Sequence, residues 1–198
     1  SDTGAIYFDD RAHAESGIVI SNNEIQNFGQ SVSGNGARAI YLDDESSNVN
    51  VANNFVTGAG AFAFQVHGGD HVVFTGNFFD TTGITAEPFL YEDDVASGFP
   101  NYGMAGNSFV QNTVYLACGQ TAKWSELWWL DDSTGGQIAR PGNTGNTYVN
   151  ISAQTVTASS MIDTAPVYQS NCAAATTLAL PKITPPVGPQ APYNCSAP

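Results

Sequence analysis

Five segments of this chain can be set one under another: IVISNNEI (18–25), VNVANNFV (49–56), VVFTGNFF (72–79), YGMAGNSF (102–109) and GNTGNTYV (142–149). In most of them a short apolar stretch runs into an asparagine at a turn, and an apolar residue follows within one or two positions. Apolar positions fall in columns, such as Ile20, Val51, Phe74 and Met104. One asparagine column holds Asn23, Asn54, Asn77, Asn107 and Asn146, with spacings of 31, 23, 30 and 39 residues. The period is irregular, so the repeat must absorb insertions in its loops.

Repeats of roughly 20 to 50 residues indicate solenoids or propellers. Within each unit, apolar residues alternate or run briefly, and β-branched and aromatic types are frequent, which predicts strands. No stretch sustains a helical stripe. Each unit is too short for the four strands of a propeller blade and suits one coil of a parallel β-helix, built from two or three short strands. Asparagine tolerates the left-handed backbone of a sharp turn. Stacked on its counterparts, its amide can hydrogen-bond along the solenoid axis. The asparagine column is therefore predicted to be structural.

A second alignment carries the candidate chemistry: YFDD (7–10), YLDD (41–44), QVHG (65–68), YEDD (91–94) and WLDD (129–132). Alternate strand residues face opposite sides. Phe8, Leu42, Val66 and Leu130 are predicted to face the core. Asp9, Asp43, His67, Asp93 and Asp131 then form one outward column, and Tyr7, Tyr41, Gln65, Tyr91 and Trp129 another. Glu92 fits this scheme least, since it would face inward. Adjacent strands lie about 4.8 Å apart, so stacked carboxylates repel and one pKa should rise. Paired carboxyls suit glycoside hydrolysis, at about 5 Å for retention and about 6.5–9.5 Å for inversion. A neighbouring imidazole can share a proton near neutral pH. Flat rings at the surface offer sugars a stacking face. Trp124, Trp128 and Trp129 sit in the longest insertion.

These features, the Asn-Asn and Gly-Asn turns and the strands AIYFDD and AIYLDD, resemble the right-handed parallel β-helix proteins of the pectate lyase and polygalacturonase superfamily. The resemblance covers about residues 4 to 150. It implies an all-β, right-handed parallel β-helix of about five coils, the C-terminal part of a longer helix, and a carbohydrate-active function. The polygalacturonase pattern has an aspartate on one coil, an aspartate pair on the next and then a glycine-flanked histidine. Asp9, the pair Asp43–Asp44, and His67 in VHGGD follow in that order. This chain has FDD where that family has N-T-D, and HGG where it has G-H-G. It has no R-I-K after the histidine, which favours a neutral sugar over galacturonate.

The resulting domain reading is β-helix coils with insertions at 27–38, 80–90 and 117–142 over residues 1–150, a last coil or cap over 151–180, and a proline-rich tail over 181–198. Solenoid ends need caps. The opening SDTGAIYFDD supplies a strand without one, so the reading includes a preceding fragment or second chain that completes the helix.

Charge narrows the partners. Against 18 acidic residues stand 5 Lys plus Arg, for a net charge of -13. Nucleic acid and anionic membranes are thereby disfavoured, because phosphate binding needs clustered cations. No run reaches the roughly 18 apolar residues of a membrane span. A polar, weakly charged surface, the sequons at Asn150 and Asn194, and three cysteines (Cys118, Cys172, Cys195) suit a secreted protein. Cys172 and Cys195 flank the tail and are a candidate disulfide.

Three functions follow. The first is a glycoside hydrolase on a polysaccharide or oligosaccharide, with Asp9, Asp43, Asp44 and His67 catalytic, Tyr7, Tyr41, Gln65, Arg38, Tyr91 and Trp129 contacting the glycan, and no cofactor or metal. The second is a polysaccharide lyase or epimerase, assisted by calcium or by Arg11 or Arg38. The third is a non-catalytic glycan-binding or structural β-helix, in which the aspartate pairs simply end strands, since Asp favours turns.

Overall fold

The computed structural model describes residues 4–11, 17–27, 37–57, 62–80, 90–93, 105–115, 128–131, 142–149, 165 and 167–169. Its strands, in chain order, begin with β1 (Gly4–Asp9), β2 (Val19–Ser21), β3 (Glu24–Gln26), β4 (Arg38–Asp43), β5 (Asn50–Ala52) and β6 (Phe55–Thr57). Next come β7 (Phe62–His67), β8 (Val73–Thr75), β9 (Phe78–Asp80), β10 (Leu90–Asp93), β11 (Ser108–Val110) and β12 (Thr113–Tyr115). The last are β13 (Trp128–Asp131), β14 (Gly142–Thr144), β15 (Thr147–Val149) and β16 (Val167–Gln169). No helix occurs among the described residues, so none there is long and apolar enough to cross a membrane.

The strands form three sheets with orders β1-β4-β7-β10-β13, β14-β11-β8-β5-β2 and β16-β15-β12-β9-β6-β3. Every pairing is parallel. Each passage of the chain visits the three sheets in turn and then lies against the preceding passage. This is the architecture of a parallel β-solenoid, and the unit holds three strands.

The register is strict because one face of each strand is buried, and a slip of one residue would reverse that face. Phe8 pairs with Leu42 and Leu42 with Val66, as the apolar column predicts. In the second sheet Ile20, Val51, Phe74 and Phe109 align, and in the third Ile25, Val56, Phe79 and Val114. These columns meet in the interior. Phe64 contacts Phe74 and Phe79 edge-on at 4.9 and 4.6 Å between ring centres, and Phe79 stacks on Phe109 at 5.6 Å. Each such fully buried phenylalanine contributes about 2–3 kcal/mol of transfer free energy.

The side-chain amides provide the second axial restraint. Asn54 Oδ1 accepts from the Asn23 backbone N–H at 3.0 Å and from its Nδ2 at 2.9 Å. Asn77 Oδ1 does the same for Asn54, Asn112 Oδ1 for Asn77, and Asn146 Oδ1 for Asn112. Asn54, Asn77, Asn112 and Asn146 each also donate back to a backbone carbonyl one layer away, as Asn77 Nδ2 does to Val51 O at 2.8 Å. Asn54, Asn77, Asn112 and Asn146 are buried.

The fourth member of this ladder is Asn112, not Asn107 as the alignment predicted. The true spacings are 31, 23, 35 and 34 residues. Asn107 serves another corner, where its Oδ1 accepts from Val72 N–H and its Nδ2 donates to Gly69 O. The misassignment has a local cause. Each ladder asparagine follows a residue with positive φ: Asn22, Asn53, Gly76, Gln111 and Gly145. Gln111, with φ of 54°, lacks the Asn or Gly signal, whereas Gly106 before Asn107 mimics it at φ 74°. With that shift, Phe109 takes the core position assigned to Met104, which lies outside the described residues.

Burial falls off toward β1, β2 and β3, which stand at the ends of their sheets. Ile40, Leu42 and Val51 are fully enclosed, whereas Ile6, Phe8 and Ile18 are only partly buried and Val19 is 64% exposed.

Asn77→Ala strands the Asn54 backbone N–H in the interior and is expected to cost about 3 kcal/mol. Asn22→Gly, at an exposed left-handed position, is expected to change stability by less than about 0.5 kcal/mol. Urea unfolding of both variants measures the contrast.

Candidate functional site

The aspartate pair at the end of β4 owes its geometry to the corner that follows. In a continuing strand, Asp43 and Asp44 would face opposite sides. Instead Asp44 and Glu45 have φ of 30° and 64°, and the chain turns. The Glu45 N–H donates to His67 O at 2.8 Å, tying the corner to the end of β7. Ser46 Oγ donates to carbonyls of both Asp43 and Phe8. Both carboxylates thereby reach one side of the first sheet.

Register brings their partners there. Asp9 pairs with Asp43 in adjacent strands, Leu42 with Val66, and Asp93 with His67 and Asp131. The expected outward column therefore exists at the level of the backbone. Glu92 is in register with Val66 and Leu130, as the alignment has it.

Side chains converge at its first three levels. Asp43 Oδ1 lies 2.9 Å from His67 Nδ1 and accepts from the Asp44 N–H at 3.0 Å. Asp43 Oδ2 accepts from the Tyr7 hydroxyl at 2.5 Å. Tyr41 also hydrogen-bonds this carboxylate. His67 Nδ1 lies 3.3 Å from Asp44 Oδ1 as well, so two carboxylate oxygens face that nitrogen. An acceptor pair of this kind fixes the imidazole proton on Nδ1. Arg11 Nε bridges Asp44 Oδ2 at 2.7 Å and Asp9 Oδ2 at 3.1 Å.

The neighbouring carboxyls have opposite environments. Burial works to raise the Asp43 pKa, but the hydrogen bonds from His67, Tyr7, Tyr41 and the Asp44 N–H overcome it and hold the group far below the usual carboxylate range. Asp44 is displaced upward, first by burial and then by the Asp43 charge, against the opposing pull of His67 and Arg11. The Tyr7 hydroxyl is raised well above the ordinary phenol value, chiefly because it donates to Asp43.

The expected glycan contacts divide. Tyr7 is 44% exposed and meets Tyr41 edge-on at 5.3 Å. Tyr41, Gln65 and Arg38 are not the surface groups expected; they are buried, and the Arg38 guanidinium lies 4.8 Å from the centre of the Tyr41 ring. Tyr91 and Trp129 pair across β10 and β13. His71 occupies a left-handed turn at φ 52°, as a turn residue should. Trp124, His13, Cys118, Cys172, Cys195, Asn150 and Asn194 lie outside the described residues, as does the tail. Sequence reasoning assigned Arg11 only as a cation for a lyase; its contact with both Asp9 and Asp44 depends on two passages of the chain, and only its place two residues after Asp9 was visible beforehand.

Asp43, Asp44 and His67 offer three donor atoms within 4.8 Å of one another. Calcium takes about six to eight oxygen ligands. Two carboxylates and a ring nitrogen, with a guanidinium already on Asp44, do not make such a set. Comparisons with family models, curated proteins and solved structures give no match for the chain.

Asp43→Asn removes a charge that accepts several buried hydrogen bonds, and is expected to cost about 2–3 kcal/mol at pH 7. A carboxylate with a depressed pKa stabilises the fold above its unfolded value and loses that contribution as pH falls through the folded one. The deficit should therefore persist to about pH 4 and close only in stronger acid. Asp44→Asn should have the opposite sign, because a raised carboxyl loses its stabilising contribution as pH rises through its folded value. Its midpoint at pH 7 should exceed the wild type's, with the difference vanishing in acid. Chemical denaturation across pH measures both.

Proposed function

We propose that this chain is a secreted, carbohydrate-active enzyme, a glycoside hydrolase acting on a polysaccharide or oligosaccharide from a right-handed parallel β-helix of about five coils. The observation that carries the reading is the convergence of Asp43, Asp44 and His67, with oxygen and nitrogen atoms within 4.8 Å of one another and Asp9 joined to Asp44 through Arg11; the surroundings displace the Asp43 and Asp44 carboxyls in opposite directions. Groups pushed apart in this way divide acid and base roles.

In this reading Asp44 is the general acid. Burial and the fixed charge of Asp43 favour its proton, which it gives to the leaving glycosidic oxygen. Asp9, across the bridging guanidinium, supplies the second carboxylate, acting on water or on the anomeric carbon. Asp43 has its oxygens occupied by Tyr7, Tyr41, His67 and the Asp44 N–H, so it acts through its neighbours: it stays ionised, holds the proton on Asp44 and orients His67. The exposed Tyr7 ring is the stacking face for a sugar.

A polysaccharide lyase or epimerase needs a cation to neutralise a uronate. Arg38 is buried against the Tyr41 ring, and the carboxylate set does not suit calcium, so the hydrolase is better supported. The saturated hydrogen bonding of Asp43 favours a second reading, a glycan-binding or structural corner without turnover.

The test is a glycan screen in which reducing ends and unsaturated products, the latter by absorbance near roughly 235 nm, are followed together on the wild type and on Asp44→Asn. Reducing ends without unsaturation are expected, with a loss of about 10²–10⁴-fold in the variant. The protonated acid is the productive form, so kcat should fall as pH rises through the elevated Asp44 value. Unsaturated products would make the protein a lyase. Binding without turnover would establish the second reading.

A further inference from the structure

We propose that Arg11 is a positioning residue, a latch that occupies the gap between Asp9 and Asp44 in the resting protein and is displaced when a glycan enters. The inference rests on the hydrolase reading for its consequence, and on geometry for the latch itself. The Arg11 Nε contacts one oxygen of each carboxylate, at 3.1 and 2.7 Å, from two successive passages of the chain. In glycoside cleavage, the scissile bond lies between the two carboxyls and positive charge develops there. A guanidinium in that position is a cationic stand-in for the reacting centre.

The latch is built to open. The Arg11 side chain is 63% exposed, while that of Asp44 is only 10% exposed. It sits just beyond the end of β1, with its backbone N–H bonded to Asp9 Oδ1 at 3.2 Å. That contact keeps the residue at the site after the side chain swings out. Solvent-exposed ion pairs are weak enough to yield to a ligand that desolvates the gap.

Opening also primes the acid. The charged and titratable groups around Asp44 are Asp43 from β4, His67 from β7, Asp9 from β1 and Arg11 beyond it. Arg11 and His67 favour the ionised form; the two aspartates disfavour it. Removing the guanidinium leaves the carboxylates to raise the affinity of Asp44 for a proton. Arg11 opposes the upward displacement of Asp44 without reversing it. Opening therefore strengthens the hold on a proton at Asp44 Oδ2, the oxygen Arg11 vacates.

Three variants test this: Arg11→Gln, Arg11→Lys and, as the group being watched, Asp44→Asn. Carbon-13 NMR of the aspartate carboxyls, assigned through Asp44→Asn, follows titration in the resting protein without any substrate. Arg11→Gln is expected to move the Asp44 titration upward by about one unit, since an opposite charge within about 4–6 Å lowers a carboxyl by about one to three. Arg11→Lys restores most of it. On a glycan that the wild type cleaves, Arg11→Gln should extend the alkaline limb of kcat upward by a similar interval. It should also lower KM several-fold, because no cation must be displaced. An unchanged Asp44 titration overturns the latch whatever the activity. An unchanged pH limb, or a raised KM, assigns Arg11 to ordinary substrate contact and overturns it too. Should no glycan be cleaved, the hydrolase reading falls, while the NMR titration still decides whether Arg11 lowers the affinity of Asp44 for a proton.

Discussion

Everything in this molecule hangs on lateral hydrogen bonding between successive passages of the chain. Parallel backbone pairing sets the spacing, and the asparagine ladder repeats it with side chains. Each buried amide accepts two bonds from the layer on one side and returns one to a carbonyl there. A buried polar group without partners costs free energy comparable to a lost hydrogen bond, so a ladder member cannot shift without exposing its neighbours' amides. The ladder therefore locks the vertical register that the apolar columns only favour.

That register is what assembles the site. Asp9, Asp43 and His67 are far apart in the chain and belong to β1, β4 and β7, consecutive strands of one sheet. Because the strands do not slip, three outward residues stand in a line; His67 Nδ1 reaches Asp43 Oδ1 directly, and Arg11 joins Asp9 to Asp44. The Asp43 carboxylate gathers four donors and is held ionised. Its fixed charge then acts on Asp44, which the corner has turned to the same side. A scaffold restraint, a local turn and a charge displacement form one causal sequence.

Much of the strand pattern was legible beforehand, for a clear reason. Side-chain alternation has a period of two, and columns of apolar residues reveal the register without coordinates. Phe8, Leu42 and Val66, and Asp9, Asp43 and His67, could be aligned by eye. Asn107 shows where this fails. Two corners of each coil carry a left-handed residue; at one it precedes a ladder asparagine, whereas at the other it precedes Ile18, Val49 and Val72, and an asparagine only at Asn107. Gly106 advertised the wrong corner and Gln111 concealed the right one. The burial of Tyr41, Gln65 and Arg38 was likewise invisible, because facing away from the core does not guarantee contact with solvent.

By itself the sequence determined that the chain is all-β and repetitive, that Phe8, Leu42 and Val66 of the first sheet face inward, and which acidic residues share a column, since those properties depend only on local periodicity and on the repetition of one unit. Tertiary structure decided which asparagines share a ladder, that Asp43 and Asp44 lie side by side with opposite proton affinities, and that Arg11 closes the gap to Asp9. The physical reason is distance: a turn angle, a layer spacing and the desolvation of a carboxyl arise only when separate passages of the chain lie against one another.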